Sequence, residues 1–264
     1  MPLLDLHLIA LAPGANAKGF VHELSKVRDA LEVVLTASPH HWVIRPALHD
    51  TEDLGGRCWD VMLLTGRSTT HLDQIPTLKD SIGASYTIKV GVPRQIYAQY
   101  SQTNSRLLSE ASSVPLTGSL NEALDPEPQD SQNLELSKDL RDFMEAFTRE
   151  RGHGQPVTML NLLSFQEGHQ EQYATYGQHF QDAGGRRGGN AKLVGSVIRD
   201  GKPVKHGEWW NEVAIVHYPS IRHFCDMAAG SDYQDINRKY RLPSLRDTIL
   251  LCTTEITVET ESKL

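Results

Sequence analysis

An internal repeat is the strongest constraint in this sequence. An apolar strand pattern that follows a proline occurs twice, from Pro2 to Leu11 and from Pro156 to Phe165. Each copy is followed by a tryptophan, a carboxylate or amide, and a second apolar run, in Trp59-Asp60-Val61-Met62-Leu63-Leu64 and in Trp210-Asn211-Glu212-Val213-Ala214-Ile215-Val216. The same order used twice predicts a duplicated supersecondary unit, and the surface between two such units is a natural place for a ligand.

The elements between these landmarks fit that reading. In the first half, Asn16 can cap a helix whose apolar residues Phe20, Leu24, Val27 and Leu31 recur at helical spacing. Strands are predicted at 42–46, 58–65 and 86–90, with a weak helical segment at 69–82. In the second half the strand from Pro156 is followed by a helix over 169–183, strands over 191–199 and 209–218, a helix from Ser220, and a strand over 247–256. A capping box of Ser231 with Gln234 predicts a short helix through Tyr240, which Pro243 ends. The order βαββαβ is the ferredoxin-like arrangement. Residues 110–136 are rich in Ser, Pro, Asp, Glu and Asn and read as a linker, after which Ser137 can cap a helix with Leu140, Phe143, Met144 and Phe147 on one face. The expected organisation is a degenerate ferredoxin-like unit over 1–109, the linker, and a clearer unit over 137–264 preceded by an extra helix. The fold class expected is α+β, two ferredoxin-like units forming an internal pseudo-dimeric barrel.

Composition narrows the function. The chain has 264 residues, 39% of them hydrophobic, enough for two cores, and a formal charge of -7 with scattered basic residues. That charge argues against nucleic acid as a partner. No run reaches the roughly 20 apolar residues of a membrane span, and the start of the chain lacks a basic secretory signal, so no membrane partner and a cytoplasmic location are expected. Cys58, Cys225 and Cys252 are far apart with no CxxC spacing, and all three read as small buried hydrophobes.

At Met159 to Leu163, Tyr176-Gly177, Gly184-Gly185 and Trp210 to Ser220, continuing through Phe224, Met227, Tyr233 and Gln234, the second half resembles a family of small dimeric α+β barrel proteins of unknown function. That family is similar to antibiotic-biosynthesis monooxygenases and EthD-like proteins, in which two ferredoxin-like units pair their sheets and each holds an apolar pocket. The resemblance covers about a hundred residues, and the whole chain is similar to tandem fungal versions. It implies that the first half supplies within the chain the partner unit that relatives find in a second chain. His217 departs from the arginine common in relatives, and the first half has no counterpart of Glu212.

Several residues could carry chemistry. Aligning the opening strands sets His7 against Asn161, each a polar group in an apolar run. Either both bond to a neighbouring element, or both point into the barrel and bind a polar group of a ligand. Glu212, on one strand face with Trp210, Ala214, Val216 and Tyr218, would have its pKa raised by desolvation and suit acid or base work, or else pair with Arg222, Lys192 or Arg199. His217, near the end of the same strand, is the best titratable candidate among the histidines. Tyr176 lies on a stripe with Tyr173, Phe180 and Ala183 and has a hydroxyl that needs a partner. The glycine-rich Gly184–Gly189 segment lacks the lysine and order of a phosphate loop and reads as a tight turn with two exposed arginines. No motif calls for a metal or cofactor, and none is expected.

These residues support two functions. One is a cofactor-independent oxygenase, isomerase or cyclase acting on a small apolar oxygen-bearing metabolite. Glu212 and His217 would be catalytic, and Asn161, Tyr176, Trp210, His7 and Arg222 would bind substrate. The other is a non-catalytic small-molecule binding or self-association module, with a homodimer left open. A cavity with convergent polar groups favours the first; a barrel filled by Leu, Met and Phe favours the second.

Overall fold

The computed structural model describes residues 1–27, 31–66, 72–122 and 131–256. The first half runs β1 (Leu3–Leu11), α1 (Ala17–Lys26), β2 (Val33–Ile44), β3 (Val61–Thr65), α2 (Pro76–Lys79) and β4 (Ile82–Gly91). A long helix α3 (Arg94–Glu110) and one turn, α4 (Ser119–Glu122), lead to α5 (Lys138–Arg151). The second half comprises β5 (Val157–Phe165), α6 (Gln170–Ala183), β6 (Asn190–Arg199), the two-residue β7 (Lys202–Pro203), β8 (Glu212–Tyr218), α7 (Ile221–Ala229), α8 (Ser231–Ile236) and β9 (Leu245–Glu255).

Every strand pair is antiparallel. The order β4-β1-β3-β2-β9-β5-β8-β6 closes on itself through β4–β6, giving an eight-stranded barrel to which β7 adds a short flap. Two seams join the halves: β2 against β9, and Lys89–Gly91 of β4 against Ser196–Ile198 of β6. The closing β4–β6 contact is short, three residue pairs, and joins the two ends of the sheet.

Strand alternation sorts the side chains. Leu4, Leu6 and Leu8 of β1 meet Leu160 and Leu162 of β5, Val213 and Ile215 of β8, and Ile249 and Leu251 of β9 inside the barrel. The interior is thus packed rather than hollow, and each buried Leu or Ile there contributes about 1.5–3 kcal/mol of transfer free energy. The opposite faces are covered by helices. In the first half, Ile9, Val61 and Leu63 pack on Phe20 and Leu24 of α1. In the second, Met159, Leu250 and Cys252 pack under α6, α7 and α8.

Local signals hold where the chain itself supplies the partner. The Asn16 side chain accepts the Gly19 N–H at 2.9 Å and Ser137 Oγ accepts the Leu140 N–H at 3.2 Å, so both helices start at their caps. The α5 face then spans the β2–β9 seam, with Phe143 stacked on His41 and Phe147 against His40.

Other expectations are corrected. β2 begins at Val33, well before Trp42, because a register shift between Pro39 and His41 absorbs the proline that would otherwise end a strand. Gly230, not Ser231, is the N-cap of α8, and the Gln234 amide donates instead to the Leu134 and Ala228 carbonyls. Cys58 is exposed, unlike the buried Cys225 and Cys252. Arg187 is 2% exposed, because its guanidinium is taken up by Asp226 and Asp232, while Arg186 alone of the pair faces solvent. His7 and Asn161 lie on the outer side of the barrel wall, since their neighbours Leu6, Leu8, Leu160 and Leu162 take the interior. The helical expectation near 69–82 narrows to a turn at Leu72–Gln74 and α2, with 67–71 outside the described residues.

The segment read as a linker is stitched to the second half at several points. Asp226 accepts the backbone N–H groups of Thr117 and Leu120, His223 meets the Val114 carbonyl, and Asn237 donates to the Asn133 carbonyl. Leu134 and Leu136 are buried with the second-half core. Composition alone misses such a strap because its partners are backbone groups.

Candidate active site

A cavity of about 770 Å³ lies outside the barrel, between the outward face of β5, β6 and β8 and the helices of the second half. It exists because the residues facing it are small. Ala214 on β8, Ala191 on β6, and Ala174 and Gly177 on α6 all contribute to its wall. The register shows how the first half differs. Asn161 pairs with Ala214 as His7 pairs with Leu63, so Val61 occupies the position of Glu212 and Leu63 that of Ala214. Both Val61 and Leu63 are fully buried against α1.

Gly177 offers a direct check of this space. A Cβ added there would meet nothing within 4 Å, yet a glycine inside a helix costs about 1 kcal/mol relative to alanine. Gly177→Ala is therefore expected to stabilise the protein by about 0.5–1 kcal/mol in urea unfolding.

Glu212 opens β8 and lines the cavity. Among the described residues its carboxylate has no hydrogen-bond or ion-pair partner, and burial alone pushes its pKa up to about 7. None of the three cations that could have neutralised it does so. Lys192 bonds to Glu255, Thr158 and Asn104; the Arg199 guanidinium stacks 4.0 Å over the Trp209 ring; and Arg222 is half-buried on α7, away from the cavity wall.

Four tyrosines line the same cavity, Tyr173 near enough to feel the Glu212 charge. Tyr176 and Tyr233 share a hydroxyl contact of 3.3 Å, Tyr218 donates to the Met227 sulfur, and the Tyr173 ring lies tilted against Tyr176 with ring centroids 5.2 Å apart. Burial raises all four phenol pKa values, with the Glu212 charge adding to the rise at Tyr173, so they remain neutral donors. Asn161 also lines the cavity and spends its Nδ2 on long bonds to the Met159 and Ala214 carbonyls, at 3.3 and 3.4 Å.

His217 closes another stretch of wall. Its Nδ1 is buried without a partner among the described residues, and burial, reinforced by the Lys192 ammonium, pushes its pKa down to about 4. The ring is neutral near pH 7 and a weak base. The α3 helix supplies a further edge, with Arg106 and Leu107, although most of its surface is polar.

The structure thus brings Glu212, His217, Asn161 and Tyr176 together and separates the other three candidates. His7 bonds to Thr87 and Thr65 on the first half. Trp210 is buried with the barrel core, where Asp50 Oδ2 accepts from Trp210, Trp209 and Tyr86. Sequence reasoning missed Arg241, which lines the cavity at 2% exposure, and gave no role to Tyr218 or Tyr233. Among the described residues no cluster of His, Cys, Asp or Glu could hold a metal ion, and no helix is long and apolar enough to cross a membrane.

No protein-family model matches the chain, and no curated protein matches it. Solved structures do. A protein of unknown function from Rhodopseudomonas palustris is similar at 22% identity and a TM-score of 0.37, covering 51% of this chain and 98% of its own. A Fusobacterium nucleatum protein provisionally assigned as a monooxygenase covers 98% of this chain and 94% of its own, at 7% identity and a TM-score of 0.46. An anthrone oxidase-like protein covers 97% and 92%, at 9% identity and a TM-score of 0.46. The functional reading rests on the cavity itself.

Proposed function

We propose that the chain is an internal pseudo-dimer of two ferredoxin-like units, 1–109 and 137–264 joined by 110–136, in which the second unit is a cofactor-independent enzyme. Its reaction is of the oxygenase, isomerase or cyclase type and begins with proton abstraction from a small, apolar, oxygen-bearing metabolite. The strand orders β4-β1-β3-β2 and β9-β5-β8-β6 support the duplication, since each half places its strands in the same order.

The observation that carries the function is the unpaired Glu212 carboxylate, with a pKa near 7, in an aromatic cavity. Such a group can take a proton from a carbon or oxygen acid near neutrality. Tyr176 is a donor that would stabilise the enolate or phenolate left behind, and Asn161 would join it where a ligand displaces one of its long Nδ2 bonds, because neutral N–H and O–H groups aimed at developing charge favour it. His217 stays neutral and holds the far wall. In an oxygenase, molecular oxygen is the second substrate.

The filled barrel interior favours the alternative, a non-catalytic binder or assembly module. Native mass spectrometry of the wild type and Glu212→Gln against aromatic and polyketide-like compounds, with and without oxygen, separates the two. Conversion lost only in the variant supports the enzyme; binding without conversion in both supports the binder.

Access to the cavity is checked independently by Ala214→Leu, which restores the leucine of the first half. It should weaken ligand binding by roughly tenfold or more, on the scale of misplaced methylenes in a pocket, while thermal unfolding stays close to wild type. Unchanged binding would place the ligand elsewhere.

A further inference from the structure

Arg241 is a buried cation of this cavity that no carboxylate among the described residues answers. It ends a π-helical turn, Asn237–Arg241, that follows α8, a geometry that recurs at functional sites. Its Nη1 reaches the Gln132 carbonyl at 3.3 Å and Asn237 Oδ1 at 3.4 Å, both neutral acceptors at long range. Its Nη2 is buried with no hydrogen-bond partner among the described residues. A buried guanidinium with an idle donor is costly unless something completes it. The other charges on the wall do not do so: Arg106 and Glu110 pair with each other at 2.7 Å, and Glu212 makes no ion pair with Arg241. The surrounding tyrosines can donate but carry no negative charge.

We propose that Arg241 is an oxyanion-binding residue and that the ligand of the Glu212 cavity is a planar, apolar compound bearing one delocalised oxyanion, a carboxylate or a phenolate. This rests on the reading of that cavity as the ligand site. The guanidinium fork suits a delocalised oxyanion, and the aromatic walls, with Tyr173, Tyr176 and Phe180 on one helix face, suit a flat body. The ligand's charge would then sit on Arg241 while its acidic hydrogen faces Glu212.

The test uses matched probes on the full chain at neutral pH: naphthoate against naphthamide for the carboxylate, and picrate against picramide for the phenolate. In calorimetric titrations the wild type should bind at least one anion roughly tenfold or more tightly than its neutral partner, the size expected for a charge-assisted hydrogen bond. The pair showing the preference identifies the group. Arg241→Met should abolish that preference while keeping the neutral probe, and Arg241→Lys should restore part of it. Equal binding within both pairs, no binding of any probe by the wild type, or an undiminished preference in Arg241→Met overturns the assignment. The wild-type comparison stands even if the variants fold poorly. Glu212→Gln should keep the anion preference, so retained preference with unimpaired turnover in that variant rejects the proton-abstraction reading and leaves Arg241 assigned.

Discussion

Replacing Glu212 with glutamine should lower turnover by roughly a hundredfold or more while making the folded protein more stable at alkaline pH. The first effect follows from removing a general base, a contribution of about 10²–10⁴ in rate. In the wild type, kcat/KM should rise with pH through about 7, as the carboxyl loses its proton, and then level off. The second effect follows from linkage. The folded-state pKa is raised above the ordinary glutamate value, so the folded protein holds the proton more tightly than the unfolded chain. The corresponding stability is complete below about pH 4, where both states are protonated, and is lost as pH rises to about 7. Above that, burying the charge costs about 3 kcal/mol, which the uncharged glutamine avoids. Urea unfolding at pH 4 and pH 8 measures it directly. A variant no more stable than wild type at pH 8 would mean that the carboxylate is solvated, and the proposed base would lose its physical basis.

The largest stability loss should come from Arg187→Met. The Arg187 guanidinium donates to both oxygens of Asp232, at 3.0 and 3.1 Å, and to the Ala183 carbonyl, Ser119 and Thr117, and lies 3.4 Å from Asp226. Asp226 is fully buried and would be left with an uncompensated charge, a situation that costs about 3–5 kcal/mol. Burial works to raise the Asp226 pKa, but hydrogen bonds from Thr117 and Leu120 and the Arg187 charge hold it below the usual carboxylate value. At Asp232 burial is likewise outweighed by Arg187, giving the same direction. Depressed pKa values contribute stability above the unfolded carboxylate pKa, and it is lost as pH falls through the folded one. The gap between wild type and Arg187→Met should therefore be widest near neutrality and shrink in acid. A gap independent of pH would assign the loss to packing of the arginine stem.

The sites of these two effects differ in how far the sequence discloses them. Glu212 was legible because a carboxylate in an apolar strand must be paired, protonated or functional, whatever surrounds it. Arg187 was not, because its glycine-rich surroundings read as a surface turn and its carboxylate partners lie on α7 and α8, remote in sequence. Arg241 sits in the polar run Asn237-Arg238-Lys239-Tyr240-Arg241, which resembles a solvated helix end. The π-helical turn changes the angular spacing there, so ordinary helical periodicity does not place Arg241 on the inner face. The α3 helix escaped notice because its buried residues are few, Tyr100 and Leu107, and the remainder is polar.

By itself the sequence determined many of the elements, though not α3 or the start of β2. The Asn16 and Ser137 caps, the alternation in β5 and β8 and the helical stripe on α6 are short-range properties, set by backbone geometry and neighbouring side chains. Only the tertiary structure decided which strand face is enclosed. Alternation divides a strand into two faces, but where both are apolar the inside is chosen by ring closure through β2–β9 and β4–β6, contacts between residues far apart in the chain. That closure sends Leu160 and Leu162 inward and Asn161 outward, and it places Glu212 under α6 rather than in the barrel. The cavity follows from it, because Ala214 leaves open beneath α6 the position that Leu63 fills beneath α1.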